Sequence, residues 1–234
     1  MSPGGAGGGA RVGVAIPAAG SGQRMGGVRK PFLSLRGEPV LLHALRPFLA
    51  DGRVVAVVVA LGEADAADPP AWLTAVDARV RVVAGGATRA ESVRNALRAL
   101  PDDLDVVAVH DAARPLVTGD VVSRCIDVAV GGEGAVAGCP AVDTMKEVDG
   151  EGRVVATPDR ARLWHAHTPQ VFPAAVARRA YGGELGSATD DASLVEGMEI
   201  PVRMVDGGPL NLKVTRPEDV LVADAVLRSR GGGG

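Results

Sequence analysis

Small and basic residues that could hold a triphosphate follow the first apolar run of the chain. The segment Pro17–Met25 reads PAAGSGQRM and carries Arg24, with Arg29 and Lys30 a few residues further on. Small residues let backbone N–H groups approach phosphate oxygens, and fixed cations can stabilise charge on a leaving pyrophosphate. Met25 stands where a dinucleotide fingerprint needs its third glycine, and no Walker lysine follows. The segment predicts a triphosphate loop, and its alternative interpretation is a glycine turn with solvated basic residues.

Two more motifs follow later apolar runs. The first is Gly85-Gly86-Ala-Thr88-Arg89-Ala-Glu91-Ser92, which could admit a flat base or an anion at a capped helix start, or be an ordinary strand-to-helix turn. The second is His110-Asp111-Ala-Ala-Arg114-Pro115. Asp111 could hold a ribose hydroxyl, a metal or a substrate hydroxyl, or could pair with Arg114 to fix the loop. His110 has a stronger alternative as a packing histidine.

Three candidate segments lie in the second half: Asp143-Thr144-Met-Lys146, Trp164-His-Ala-His-Thr168-Pro-Gln170, and Asn211-Leu-Lys213-Val-Thr215. Lys213 alternates with apolar neighbours, so it could reach a phosphate, although a surface lysine is the default for any single Lys. His165 and His167 have no third ligand at a useful spacing, which argues against zinc.

The elements that must position these residues follow from the apolar pattern. Short apolar runs without polar alternation predict buried parallel strands at Val12–Ala18, Val54–Leu61, Arg81–Ala84, Val106–Val109 and Ala135–Pro140. Helical spacing predicts helices at Pro39–Leu49, Pro70–Ala78, Arg89–Leu100 and Asp120–Val130. This alternation predicts an α/β fold, a three-layer sandwich with a mostly parallel sheet. The first three motifs should then meet in one crevice at the carboxyl ends of the strands.

The segment from Val142 to Ala156 departs from that alternation. Asp149-Gly150 and Gly152 separate two extended halves, Asp143–Val148 and Arg153–Ala156, which is typical of a β-hairpin. Its unpaired edges need a partner, so we expect a projecting arm at about residues 142–157 that packs on another subunit. Beyond it the pattern predicts a helix at Pro173–Tyr181, a helix starting near Asp190, a strand at Ile200–Val205, and a last helix with a capping box at Thr215 and Glu218.

Composition limits the class of protein. The 234 residues are 47% hydrophobic, which predicts one globular domain over residues 11–230, with disordered glycine-rich tails at 1–10 and 231–234. A net charge of −3 argues against nucleic-acid binding. The chain carries no apolar run of membrane-spanning length and no secretory leader pattern at its N-terminus, so we expect no membrane association and a cytoplasmic location. Cys125 and Cys139 are expected to be buried thiols.

Taken together, seven motifs in order resemble those of the 2-C-methyl-D-erythritol 4-phosphate cytidylyltransferase family. They are the Pro17, Gly85, His110, Asp143, Trp164 and Asn211 segments quoted above and Thr189-Asp-Asp-Ala-Ser. The likeness covers nearly the whole chain outside the tails. It implies a Rossmann-like nucleotidyltransferase fold, transfer of CMP from CTP to methylerythritol phosphate with release of pyrophosphate, a magnesium ion held mainly by the CTP phosphates, and a homodimer.

The resemblance also implies roles for residues. Arg24 and Lys30 would bind the triphosphate, with Arg29 as the alternative to Lys30. Gly86 and Ser92 would read the cytosine, Lys213 would hold the methylerythritol phosphate, and Thr144 and Arg160 would reach that substrate from the partner's arm, with Arg162 as the alternative to Arg160. The remaining implied substrate-binding residues are Ala18, Ala19, Gly20, Gly22, Arg89, Asp111, Ala112, Arg114 and Thr168.

Two other functions share part of this pattern. A ribitol-phosphate cytidylyltransferase would have the same first loop and cytosine motif, whereas the arm sequence and the Trp164 motif favour methylerythritol phosphate. A catalytically idle nucleotide-binding protein has no need of cations on both substrates. The presence of Arg24, Lys30, Asp111 and Lys213 argues against this function.

Overall fold

Valine- and alanine-rich runs form the centre of a seven-stranded sheet in the computed structural model, which describes residues 9–20, 29–186, 190–198 and 200–231. The sheet consists of β1 (Val12–Pro17), β4 (Val54–Leu61), β5 (Val80–Ala84), β6 (Val106–Val109), β7 (Gly134–Pro140), β10 (Trp164–Pro173) and β11 (Val202–Asp206). Their order is β11-β7-β10-β6-β1-β4-β5. All neighbours pair in parallel except β10, which is antiparallel to both β6 and β7.

Helices cover both faces of the sheet. They are α1 (Val40–Leu49), α2 (Glu63–Ala67), α3 (Ala71–Ala75), α4 (Arg89–Ala99), α5 (Gly119–Val130), α6 (Ala174–Gly182) and α7 (Pro217–Gly231). Along β4, Val57 and Val59 face the cluster that holds α1 and α5, while Val58 faces the cluster that holds α4 and α6. This two-residue alternation between two apolar layers confirms the three-layer α/β sandwich.

Outside the sheet, two short hairpins complete the strand inventory of the described residues. β2 (Ser34–Leu35) pairs with β3 (Glu38–Pro39), and β8 (Glu147–Val148) pairs with β9 (Val154–Ala156). The second pair is the predicted arm, and its turn is held by Asp149, whose carboxylate accepts the N–H groups of Glu151 and Arg153 at 2.9 and 3.0 Å.

The largest departure from the predicted elements is β10. The sequence analysis predicts no strand at Trp164–Gln170. Polar residues and Pro169 interrupt the apolar pattern of this segment. In the structure this segment is an interior strand, and its pairing register with β7 shifts between Ala166 and Gln170. Hydrogen bonds to β6 on one side and β7 on the other stabilise this strand, although its local sequence does not favour one.

Three helix predictions need correction. The helix predicted at Pro70–Ala78 spans only Ala71–Ala75, and the one expected near Asp190 is a three-residue 3₁₀ turn, Ala192–Leu194. At the last helix, Asp219 instead of Glu218 caps the start, because its carboxylate accepts from Thr215 and Arg216 N–H groups at 2.7 and 2.8 Å.

The last helix extends into the predicted C-terminal tail. Gly231 belongs to α7, so the predicted C-terminal tail begins one residue too early; the tail predictions for residues 1–8 and 232–234 lie outside the described residues. Cys125 and Cys139 are buried and unpaired, as predicted. Across the described part of the chain, no helix is long and apolar enough to cross a membrane.

Candidate active site

A cavity of about 410 Å³ opens at the carboxyl ends of β1, β5 and β6. The structure brings the first three motifs together there, as strand polarity predicts, and adds Lys213 from the segment before α7. Ten of the candidate residues line it: Ala18, Ala19, Gly20, Lys30, Gly86, Arg89, Ser92, Asp111, Ala112 and Lys213. Arg24 and Gly22 lie outside the described residues.

The first and second loops approach each other closely at Gly85. A Cβ at this position would lie 2.4 Å from Ala19 Cβ and 2.8 Å from Ser92 Oγ, so only glycine fits. The Gly85 N–H donates to the Leu61 carbonyl at 2.7 Å, which joins the loop to the end of β4. Backbone from both loops therefore forms one wall of the cavity.

The start of α4 holds the second loop in shape. Thr88 and Glu91 form the predicted capping box. The buried Ser92 hydroxyl accepts the Gly86 N–H at 3.1 Å and donates to the Thr88 carbonyl at 2.9 Å. Ser92 thus fixes the Gly86 backbone at the cavity wall, and its donor hydrogen is already used within the loop.

Asp111 is the centre of the charged groups in the cavity. Its Oδ1 accepts from Arg89 Nε at 2.9 Å, and its Oδ2 lies 2.7 Å from Lys213 Nζ. Burial alone would raise the pKa of the Asp111 carboxyl, but the charges of Arg89 and Lys213 outweigh that effect and hold the pKa well below its ordinary value. Asp111 is therefore ionised at neutral pH, and Lys213 is a fixed cation beside it.

Arg114 supports this centre without lining the cavity. Its Nε is 3.8 Å from Asp111 Oδ2, longer than a hydrogen bond, whereas its Nη1 donates to the Asn211 carbonyl at 2.7 Å. The side-chain contact between Asp111 and Arg114 is therefore weaker than the contacts of Asp111 with Arg89 and Lys213. Arg114 instead anchors the segment that carries Lys213.

Thr168 and His110 lie behind the cavity. The Thr168 hydroxyl contacts the Asp111 N–H and His110 Nδ1, each at 3.0 Å, and His110 Nε2 contacts the Arg114 carbonyl at 3.2 Å. Burial lowers the pKa of His110 to about 4, so the ring is neutral at pH 7. His110 is therefore a buried packing residue, as the alternative interpretation of the sequence predicts. Thr168 fixes the backbone of Asp111 and does not itself line the cavity.

Lys30 and Arg29, the two alternatives for the first-loop cation, differ in position. Lys30 lines the cavity at the start of the 3₁₀ turn Lys30–Phe32. Arg29 pairs with Asp65 of α2 and lies over the Phe32 ring, 5.1 Å from its centroid. The position of Lys30 favours it for contact with a bound ligand.

Thr144 lies in the arm and Arg160 follows it, and neither lines the cavity. Arg160 Nη1 donates to the Val142 carbonyl at 2.6 Å, and its backbone begins a 3₁₀ turn capped by Asp159. The arm exposes Val142, Val148, Val154 and Val155 to between 51 and 74%. The arm therefore exposes four apolar side chains to solvent.

Asp191 and Tyr181 lie next to the cavity residue Arg89, and the sequence analysis gives neither of them a role. Arg89 Nη1 and Nη2 donate to the two Asp191 oxygens at 2.8 and 2.9 Å, and the Tyr181 hydroxyl also donates to Asp191. The only signal in the sequence was the Thr189-Asp-Asp motif; Thr189 itself lies outside the described residues.

The described residues contain no group of three or more His, Cys, Asp or Glu side chains that could hold a metal ion. Of the described residues that line the cavity, Asp111 alone carries a carboxylate. Mg²⁺ in phosphate sites usually keeps water ligands and binds one or two carboxylates plus the substrate phosphates. This donor set fits an ion carried mainly by a bound triphosphate, with Asp111 as the one carboxylate that the described cavity residues provide.

Comparison with known proteins gives one consistent result. Residues 12–229 match the family model described as IspD, 2-C-methyl-D-erythritol 4-phosphate cytidylyltransferase. A relative of that name from Symbiobacterium thermophilum is 47% identical over 92% of both chains, and one from Streptomyces coelicolor is 44% identical over 94% of this chain and 86% of the relative.

Solved structures agree with the sequence matches. The 2-C-methyl-D-erythritol 4-phosphate cytidylyltransferase of Thermus thermophilus superposes with a TM-score of 0.76 at 34% identity over 93% of this chain and 99% of that one. The 4-diphosphocytidyl-2C-methyl-D-erythritol synthase of Anaerococcus prevotii gives a TM-score of 0.83 at 26% identity over 94 and 96%.

Proposed function

The chain belongs to the 2-C-methyl-D-erythritol 4-phosphate cytidylyltransferase family, and from this we propose that the cavity at the carboxyl ends of β1, β5 and β6 is its active site. The enzyme transfers CMP from CTP to 2-C-methyl-D-erythritol 4-phosphate and releases pyrophosphate, a step in isoprenoid synthesis. The observation that carries the site assignment is the Asp111–Lys213 pair, which lies in the same cavity as the Ala18–Gly20 and Gly86 backbone.

The reaction exchanges one phosphorus–oxygen bond for another. A phosphate oxygen of methylerythritol phosphate attacks the α-phosphorus of CTP, and the bond from that phosphorus to the β-phosphate oxygen breaks. The attacking phosphate is already ionised at neutral pH, so no general base is required. Catalysis then depends on positioning and on cations that stabilise the developing charge.

The cavity residues divide between the two substrates in this proposal. Lys30 binds the triphosphate and stabilises the leaving pyrophosphate, with backbone N–H groups of residues 18–20 beside it. Arg24 and Gly22, which lie outside the described residues, are assigned to the triphosphate by their positions in the motif. Lys213 binds the phosphate of methylerythritol phosphate. The 2.7 Å contact between Lys213 and Asp111 supports this role, because it fixes the ammonium where a second anion can approach.

The second loop is proposed to recognise the cytosine. Ser92 holds the Gly86 backbone at the cavity wall, so base edges meet main-chain donors and acceptors in a fixed arrangement. A purine that leaves such a group unpaired loses about 1–3 kcal/mol. Ala112 and Arg89 would contact the sugar or phosphate of either substrate.

We propose that CTP binds together with a magnesium ion. When bound with CTP it would neutralise charge on the triphosphate and on the departing pyrophosphate. Asp111 is the residue that could contact it, and the first-loop cations remain the groups of this chain that hold the phosphates.

We also propose a homodimer in which each arm completes the partner's active site with Thr144 and Arg160. The exposed valines of the arm support this, since an apolar surface on a projecting hairpin requires cover. The predicted cytoplasmic location and the predicted absence of nucleic-acid partners remain predictions.

The experiment that tests the function is a pyrophosphate-release assay. Purified full-length protein is incubated with CTP and Mg²⁺, and with methylerythritol phosphate, ribitol phosphate or no acceptor. Release that depends on methylerythritol phosphate, and a kcat/KM for CTP at least about tenfold above that for ATP, supports the proposal. Equal or faster reaction with ribitol phosphate would identify the alternative acceptor, and no release with either acceptor would contradict the assignment.

A further inference from the structure

Asp191 is a buried carboxylate that binds Arg89, one of the residues that line the cavity. Its side chain is 0% exposed and does not line the cavity. Both of its oxygens accept from the Arg89 guanidinium, and the Tyr181 hydroxyl donates to one of them. The next residue, Ala192, donates its N–H to Gln170 Oε1 of β10 at 2.7 Å. Asp191 is therefore held from its side chain and from its backbone.

Arg89 transmits this anchoring to the cavity. A guanidinium has five N–H donors in one rigid plane. In Arg89, two of them bind Asp191 and the Nε–H binds Asp111, so the plane cannot rotate without breaking a contact to a carboxylate. Asp111 in turn contacts Lys213. The chain of contacts runs from Tyr181 on α6 to the Lys213 ammonium in the cavity.

Tyr181 and Arg89 keep their protonation states near neutral pH. Burial and the Asp191 charge both raise the pKa of Tyr181, so its hydroxyl remains a donor. Burial alone would lower the pKa of Arg89, but the charges of Asp191 and Asp111 outweigh that effect and raise it, so the guanidinium remains charged. Tyr181 therefore stays a donor to Asp191, and Arg89 stays a cation between Asp191 and Asp111.

We propose that Asp191 is a positioning residue for the cytidylyl transfer, which through Arg89 fixes the Asp111 carboxylate and the Lys213 ammonium in the cavity. This inference rests on the proposed function of the cavity. Tyr181 holds Asp191 through a further hydrogen bond to Oδ1. Displacement of a reacting or binding group by about 1 Å can cost roughly 10²-fold in rate, so a buried support of this kind affects catalysis without contact to substrate.

The first test compares two adjacent aspartates. Asp191→Asn removes the charge that Arg89 binds at nearly constant volume. Asp190→Asn is the matched control. The Asp190 carboxylate binds Gln170 Nε2 and Ser193 N–H at 2.9 and 3.0 Å, so this variant changes the Gln170 side of the segment and leaves the contacts of Asp191 with Arg89 and Tyr181 in place. We expect kcat/KM for methylerythritol phosphate to fall about 10- to 100-fold in Asp191→Asn. The control should stay within about threefold of wild type.

A double-mutant cycle separates positioning from general loss of structure. If Asp191 acts through Lys213, then Asp191→Asn should change the residual activity of Lys213→Ala by no more than about twofold. Equal fold losses in the wild-type and Lys213→Ala backgrounds would overturn the proposal. Where Asp191→Asn proves too unstable to purify, Tyr181→Phe replaces it in the same cycle, with an expected loss of about 3- to 10-fold.

NMR spectra of the lysine ammonium groups test the position of Lys213 without an activity measurement. The chain has three, Lys30, Lys146 and Lys213, so ¹⁵N side-chain ammonium spectra contain few signals, and each can be assigned by substitution. We expect the Lys213 signal to shift or broaden in Asp191→Asn and to keep its position in Asp190→Asn. An unchanged Lys213 signal in Asp191→Asn would overturn the inference. A wild-type protein that releases no pyrophosphate would contradict the proposed function, while the spectra still decide whether Asp191 positions Lys213.

Discussion

The adjacent first-loop residues Arg29 and Lys30 have different surroundings, so we expect them to contribute differently to catalysis. Lys30 lines the cavity, whereas Arg29 pairs with Asp65 and lies over Phe32. We expect Lys30→Ala to lower kcat by about 10²- to 10³-fold, since its ammonium would meet charge that develops in the transition state. Steady-state pyrophosphate release measures this, with thermal unfolding as a check on folding.

Arg29→Ala is the matched control for that substitution. Its surface ion pair with Asp65 is worth at most about 1 kcal/mol. We expect its kcat to stay within a few-fold of wild type. A larger loss in Arg29→Ala than in Lys30→Ala would give the first-loop role to Arg29.

The buried His110 makes stability depend on pH. Its pKa is about 4 in the folded protein, below the ordinary value of 6.5, because burial disfavours the charged ring. Between these values the unfolded chain binds more protons, so stability falls as pH falls from about 6.5 to 4. At pH 5 this linkage costs about 2 kcal/mol relative to pH 7.

Urea unfolding at pH 7 and pH 5 measures that difference. In His110→Gln the titrating ring is absent, so the free energy of unfolding should change less between the two pH values, even if the variant is less stable at both. An unchanged pH dependence in the variant would assign the effect to other groups.

At the scale of elements, the contact between the first and second loops depends on Gly85. We expect Gly85→Ala to raise KM for CTP about tenfold and to cost about 1–3 kcal/mol of stability, because its Cβ would overlap Ala19. Kinetics with varied CTP and thermal unfolding report the two effects. Gly52→Ala is the control, since no atom lies within 4 Å of a Cβ there. Similar kinetic changes in both variants would contradict the role of the loop contact.

At the scale of the whole molecule, the arm predicts active sites shared between protomers. If Arg160 acts in the partner's cavity, mixing inactive Arg160→Ala with inactive Lys213→Ala should restore roughly a quarter of wild-type activity after subunit exchange. Half of the dimers are then mixed, and each has one intact site of two. The measurement is pyrophosphate release before and after exchange.

A second mixture is the control for that experiment. Asp111 and Lys213 contact each other in one protomer, so Asp111→Asn mixed with Lys213→Ala should recover nothing. No recovery in the Arg160 mixture, with exchange demonstrated by mass, would place Arg160 in its own protomer's site.

Much of the fold could be predicted because its parallel strands are locally encoded. Val54–Leu61 and Val106–Val109 have the predicted bounds, and the capping box at Thr88 begins α4 as expected. Strand β10 could not be predicted, since its pairing with β6 and β7 depends on residues distant in the chain. The capping residue of the last helix could not be predicted either. Glu218 and Asp219 are adjacent carboxylates, and the path of the preceding loop decides which of them meets the Thr215 N–H group.

The sequence by itself determined the order of the motifs, the family they resemble and the edge of the sheet where they meet, because strand polarity and buried periodicity are properties of the chain alone. Tertiary structure decided which groups contact. It placed Lys30 and not Arg29 at the cavity, committed the Ser92 hydroxyl to its own loop, and connected Asp111 through Arg89 to the buried Asp191. Arg89 and Asp191 are 102 residues apart, and a hydrogen bond over that separation exists only after the sheet and its helices have packed.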